Sequence, residues 1–130
     1  MPFIFKEYHK EKLIVKKIRG NISILEIQDI LIKTIQLNDR FPEHRILNDF
    51  RFSTLNFNTK ELTVLLKGIS TKEIPKHSKV FIFDTDEDSS LYDLFVNTYN
   101  LKNTYLFDSL EKACAFYGID KMIISGFLEN

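Results

Sequence analysis

Thr104-Tyr-Leu-Phe-Asp-Ser-Leu-Glu-Lys-Ala-Cys-Ala-Phe-Tyr-Gly-Ile119 reads as a short strand that runs straight into a capped amphipathic helix. Asp108 and Glu111 have the spacing of a capping box, in which each side chain satisfies a free backbone N–H at the helix start. Leu110, Ala113, Cys114 and Tyr117 then recur at i, i+3, i+4 and i+7, which places them on one buried face.

Similar units precede it. Phe3 to His9 alternates loosely and Leu13 to Ile18 is rich in β-branched residues, with the polar link 9–12 suited to a hairpin. Ser23 and Glu26 predict a capping box that opens a long helix to about Asn38, with Ile24, Ile27, Leu31 and Ile35 as its inward stripe. Pro42 ends that helix region by disfavouring helix at Phe41. Arg45 to Phe50 reads as the third strand. Asn58 and Glu61 form the next capping pair, followed by Leu62, Leu65, Leu66 and Ile69 on one face and Gly68 near the end. A polar loop is expected over 72–78, around Pro75. Lys79 to Phe83 is the apolar run of a strand buried on both faces. An acidic loop, 84–88, leads to a helix capped by Ser89 or Ser90 that continues to Tyr99.

The order is β-β-α-β-α-β-α-β-α. Strands alternating with helices imply crossovers and a largely parallel sheet, to which the first hairpin adds an antiparallel edge. The expectation is one α/β domain over 1–130, with a mixed sheet of about five strands and four to five helices.

Eighteen basic residues balance eighteen acidic ones among 130, so the formal net charge is zero. A protein that lives on phosphate backbones carries a basic surplus, and its absence argues against nucleic acid as partner. The single Cys cannot close an internal disulfide. The first residues lack the layout of a signal peptide, and no apolar run approaches the length of a membrane span. These features predict a cytoplasmic protein.

The element order and several strings resemble the STAS domain, in its SpoIIAA-like branch. The strings are Gly20 with the capped helix at Ser23, Ile46-Leu-Asn-Asp-Phe-Arg51, the capped helix at Asn58, and Leu106-Phe-Asp-Ser-Leu-Glu-Lys-Ala113. The resemblance implies an open sheet with helices mainly on one face, and a non-enzymatic protein that works by binding a partner, sometimes under phosphorylation control. One relative of that fold, CRAL-TRIO, carries apolar ligands. In anti-sigma-factor antagonists the phosphorylated Ser lies in an Asp-Ser-Ser-Gly string between the third strand and the second helix. Here that loop reads Arg51-Phe-Ser-Thr-Leu-Asn-Phe-Asn58, without the string. Asp88-Ser-Ser90 follows the fourth strand and is out of register. Ser53 and Thr54 are the candidate phosphoacceptors of the loop, since phosphate there would add negative charge beside a helix N-terminus with Arg51 close by.

The strongest chemical constellation is acidic. With parallel central strands, Asp49, Asp84 and Asp108 fall near their carboxyl ends, where open α/β sheets usually bind ligands, and Arg51 stands beside them. Such carboxylates suit Mg²⁺ and phosphoryl transfer, although caps and turns favour Asp for plain hydrogen-bonding reasons. Cys114 reads as core. His9, His44 and His77 have no second ligand at i+3 or i+4, so their spacing predicts no metal site. Four scattered Gly rule out a phosphate loop, and no cofactor is called for.

Two surfaces look adhesive: Leu25 and Ile32 on the flank of the first helix, and the tail with Met122, Ile123 and Phe127. A tail of this kind normally docks on its own domain; the alternative is a contact with another copy or another protein. Three functional readings follow. The first is a non-enzymatic regulatory or scaffold module that binds another protein or itself as a homodimer. The second is a carrier of a small apolar ligand or lipid. The third is a Mg²⁺-dependent phosphoryl-transfer site at the acidic edge.

Overall fold

A computed structural model describes residues 3–69 and 77–129, apart from the side chains of residues 87 and 88. The loop expected over 72–78 therefore lies, up to residue 76, outside the described residues, as does the side chain of Asp88. Among the described residues, seven strands and five helices follow in the order β1 (Phe3–Tyr8), β2 (Leu13–Ile18), β3 (Gly20–Ile22), α1 (Ile24–Arg40), β4 (Arg45–Asp49), β5 (Ser53–Leu55), α2 (Thr59–Lys67), β6 (Lys79–Ile82), α3 (Asp86–Tyr99), β7 (Thr104–Phe107), α4 (Leu110–Tyr117) and α5 (Lys121–Leu128). The main sheet has the order β1-β2-β4-β6-β7. β1 pairs antiparallel with β2, and the remaining pairs are parallel. This is the expected mixed five-stranded α/β fold.

Each parallel strand is added on the same side of its predecessor. Crossovers of parallel strands are right-handed, so a sheet wound in one direction carries its crossover helices on one face. Accordingly Ile27 and Ile30 of α1, Leu62 and Leu66 of α2, and Leu91 and Phe95 of α3 share a core with Ile18, Phe50, Phe81 and Phe83. Among the described residues, the opposite face is covered by the segment after β7. There α4 and α5 lay Leu110, Ala113, Cys114, Tyr117, Ile124 and Leu128 over Leu13, Val15, Leu47, Val80 and Ile82. The apolar tail thus docks on its own chain. Gly118, at φ +68, makes the turn between the two helices: its N–H bonds to Ala115 O, and Ile119 N–H bonds to Cys114 O at 2.9 Å. That is a Schellman closure, which needs the left-handed conformation glycine adopts without penalty.

Two of the three capping boxes read from spacing are formed, Ser23 with Glu26 and Asn58 with Glu61. The third is not. Ser109, one residue beyond Asp108, caps α4 by accepting from Lys112 N–H, while Asp108 is exposed and pairs with Lys112 at 2.8 Å. The helix that ends at Tyr99 also starts earlier than the Ser89 or Ser90 cap predicts. It begins at Asp86, placing acidic residues in the first turn, where the helix dipole favours them. The buried stripe of α1 is Ile27, Ile30, Thr34, Leu37 and Asn38. Leu31 and Ile35 are only half-buried, because two polar residues take core positions. The short strands β3 and β5 pair in parallel beside the main sheet, with Gly20 opposite Ser53.

Candidate functional site

The carboxyl ends of β2, β4 and β6 meet at a cluster built on Asp49, which is fully buried. Its Oδ1 accepts from the backbone N–H and the Nε of Arg51, at 3.1 and 2.9 Å. Its Oδ2 accepts from Arg51 Nη2 at 2.9 Å and from Arg19 Nη2 at 3.0 Å. Arg19 also donates to the carbonyls of Ile18, Asp49 and Leu128, which ties the end of β2 to the end of α5. Glu129 stands 3.7 Å from Arg51 on the outer side. The hydrogen bond to Asp49 raises the Arg51 pKa beyond its already high ordinary value, so its charge is permanent.

This cluster carries Phe52. The residue is 66% exposed and sits at φ +63, in the left-handed region that bulky side chains avoid. Its backbone is held from both sides: its N–H donates to Asp84 Oδ2 at 3.1 Å, and its carbonyl accepts from Gly20 N–H at 3.2 Å. Gly20 is itself at φ +82. The guanidinium carbons of Arg19 and Arg51 lie 5.4 and 5.6 Å from the ring centroid. A benzyl group is therefore displayed to solvent in a strained conformation, between two arginines fixed by a buried carboxylate.

Of the acidic-edge residues, Asp49, Arg51 and Asp84 are joined through this loop. Asp108 is instead held by Lys112, whose hydrogen bond lowers its pKa, and it lines an open groove of about 330 Å³ with Asp86 and Ser89. The strand order never reverses, so the sheet has no switch point of the kind that opens a ligand crevice in α/β proteins. Of the two candidate phosphoacceptors, Ser53 is buried and its Oγ donates to Phe50 O at 2.5 Å, whereas Thr54 is exposed. The Cys114 thiol is buried on the core face of α4, and desolvation raises its pKa. Among the candidate interface residues, Met122 and Leu25 are the most exposed, and Ile32 and Ile123 are also open to solvent. Phe127 is not: it packs on the core beneath α5, under Lys17.

The cavity under α1, lined by Ile30, Thr34, Asn48, Lys79 and Phe81 among others, measures about 50 Å³. Beside it, burial lowers Lys16 to a pKa of about 7, and Lys79 to about 8.

At the opposite end of the sheet the structure brings together three ligand-type side chains that no sequence spacing links. Glu7 Oε2 lies 2.7 Å from His44 Nε2 and 3.6 Å from His9 Nδ1. Among the described residues this is the one group of three or more His, Cys, Asp or Glu whose ligand atoms cluster, all within 4.8 Å. The ladder Tyr8–Leu13–Arg45 across β1, β2 and β4 is what places residues 7, 9 and 44 side by side. Strand order, more than spacing, held that signal, just as Arg19 and Phe52 gained meaning only once β3 met β5.

Comparison with protein-family models gave no match, and comparison with curated proteins gave none.

Proposed function

We propose that the chain is a non-enzymatic binding module, a STAS-like regulator or scaffold, that meets a partner protein through the tip formed by Phe52, Arg19 and Arg51. One observation carries this reading. Phe52 holds a positive φ that costs roughly 1–3 kcal/mol, yet buries little of its ring. The strain is not offset by burial of the ring, which stays open to solvent between Arg19 and Arg51, and an aromatic ring beside arginine is the composition of interface hot spots. The tip occupies the loop between the third main-sheet strand and the second helix, which in the resembled family carries the switch. The partner surface that fits is an apolar pocket one phenyl ring deep.

Of the two alternatives, metal chemistry has the better geometric support, though not at Asp49. Ligand pockets measure roughly 300–1,000 Å³; the apolar cavity under α1 is far smaller, and the open grooves of about 290 and 330 Å³ that approach this range include polar residues in their lining. Both oxygens of Asp49 are saturated by arginine and backbone donors, so a Mg²⁺ ion would have to displace two charge-assisted pairs to reach them. Metal binding finds its support on other residues, Glu7, His9 and His44.

A photo-crosslinking amino acid at position 52, compared in cells with one at the exposed Val64 of α2, tests the proposal. A discrete adduct specific to position 52 is expected. The purified adduct partner should bind Phe52→Gly more weakly by about thirtyfold or more, since a hot spot carries about 2 kcal/mol or more. Relief of the positive φ should leave the variant as stable as its parent. An adduct of twice the chain mass identifies a second copy as the partner. Equal labelling at both positions, or unchanged affinity of Phe52→Gly, overturns the proposal.

A further inference from the structure

The geometry points to a second site, independent of the Phe52 tip: Glu7, His9 and His44 form a three-ligand centre for a borderline divalent cation of the Zn²⁺ class. The donor set is two imidazole nitrogens and one carboxylate oxygen. Mg²⁺ and Ca²⁺ favour all-oxygen shells, whereas imidazole with carboxylate suits zinc and its neighbours. Three protein ligands leave one tetrahedral position for water or a substrate oxygen, as in open zinc sites.

The three side chains are positioned by different means. His44 follows α1 and is nearly buried; its N–H bonds to Phe41 O at 3.2 Å, and its ring lies against Phe41 at 4.9 Å. Glu7 is fixed by the β1–β2 ladder opposite Ile14. His9 stands on the hairpin turn, where its carbonyl accepts from Lys12 N–H at 3.1 Å, and its side chain is 90% exposed. Two ligands are thus preset and the third closes from solvent. Tetrahedral bonds of about 2.0–2.2 Å put neighbouring donor atoms roughly 3.4 Å apart. The contact of His9 Nδ1 with Glu7 Oε2, 3.6 Å, already has that span, and the 2.7 Å contact of His44 has only to open by several tenths of an ångström. The buried Nδ1 of His44 has no hydrogen-bond partner among the described residues. Zinc-binding histidines normally donate from that second nitrogen, and lack of such support weakens binding by roughly 10–100-fold. The site is therefore one of moderate affinity.

Calorimetric titration of the chelator-stripped full chain with Zn²⁺, joined to visible absorption on adding Co²⁺, tests the site. One equivalent per chain and the intense bands of tetrahedral Co²⁺ are expected. His9→Ala changes an exposed side chain and keeps the fold, and it should weaken Zn²⁺ by about tenfold or more. Glu7→Gln should do the same, while His77→Ala, outside the group, leaves affinity unchanged. Absence of stoichiometric binding in the parent, or affinity in His9→Ala equal to that of the parent, overturns the site. Neither outcome bears on crosslinking at Phe52.

Discussion

Lys16 and Lys17 are neighbours on β2 and point to opposite faces of the sheet, and their surroundings differ in kind. Lys17 reaches the end of α5, where its Nζ donates to Phe127 O at 3.2 Å. Arg19 does the same for Leu128 O, and Arg45 donates to Tyr117 O at the end of α4. The cations on that face thus occupy the negative ends of two helix dipoles and satisfy carbonyls that the helices leave open. Lys16 lies under α1, where its Nζ meets the hydroxyl of Thr34, and among the described residues it has no ion pair. Burial there is the larger cause of its lowered pKa, and Lys79 is the second. One face uses its charges to close the fold, while the other holds an ammonium at a net cost.

The largest effect should come from breaking the closed face at its charge centre. Asp49→Ala leaves two arginines with a buried charge unmatched, which typically costs about 3–5 kcal/mol. Urea unfolding should show a lower midpoint with an unchanged slope, and the loss should exceed that of any substitution at Lys16.

The opposite face should respond in the opposite direction. Lys16→Met keeps the side-chain length and removes the buried ammonium, and it should stabilise by roughly 1–4 kcal/mol at neutral pH. Thr34 does not lose its own bond, since its hydroxyl donates to Ile30 O at 2.6 Å. The pH dependence fixes the sign. Lys16 has a pKa of about 7 when folded and an ordinary value of 10.5. Between these the unfolded chain binds more protons, so the parent becomes more stable as pH rises from about 7 towards 10. Lys79, near 8, adds to the upper part of that rise. In Lys16→Met the rise should begin later and be smaller, which unfolding at three pH values across the window would show. An identical pH profile for parent and variant would break the comparison between the two faces.

This contrast also sorts what could be read in the chain. The sheet and the helices followed from periodicity, because Val80, Phe81 and Ile82 must be covered on both sides and Ser23 and Asn58 cap where their spacing places them. The stripe of α1 was misplaced by about one residue, since pattern reading assigns Thr34 and Asn38 to solvent, whereas a lysine opposite gives the hydroxyl of Thr34 a reason to be inside. Asp49, Arg51 and Asp84 were legible as neighbours at a strand end. Their chemistry was not, because Arg19 arrives from another strand and saturates the carboxylate. Glu7, His9 and His44 are separated by a hairpin and a whole helix, and the registers of β1 with β2 and of β2 with β4 together unite them.

The smallest effect sharpens how the closed face is fastened, at the start of α4. Asp108 and Ser109 are adjacent candidates for one cap, and a sequence pattern cannot separate them. In the structure Ser109 has extended backbone angles and its Oγ accepts from Lys112 N–H at 3.2 Å, while the Asp108 carboxylate lies in solvent against the Lys112 ammonium. Ser109→Ala should therefore cost about 1 kcal/mol, the usual loss for a cap. Asp108→Ala should move the unfolding midpoint much less, because exposed ion pairs contribute little. The two variants share a helix, a partner residue and a solvent-facing position, so their difference isolates the cap itself. A larger loss for Asp108→Ala would return the capping box to the residue pair Asp108 and Glu111. It would also mean that α4 begins one residue earlier, shifting Leu110 and Ala113 relative to the sheet they cover.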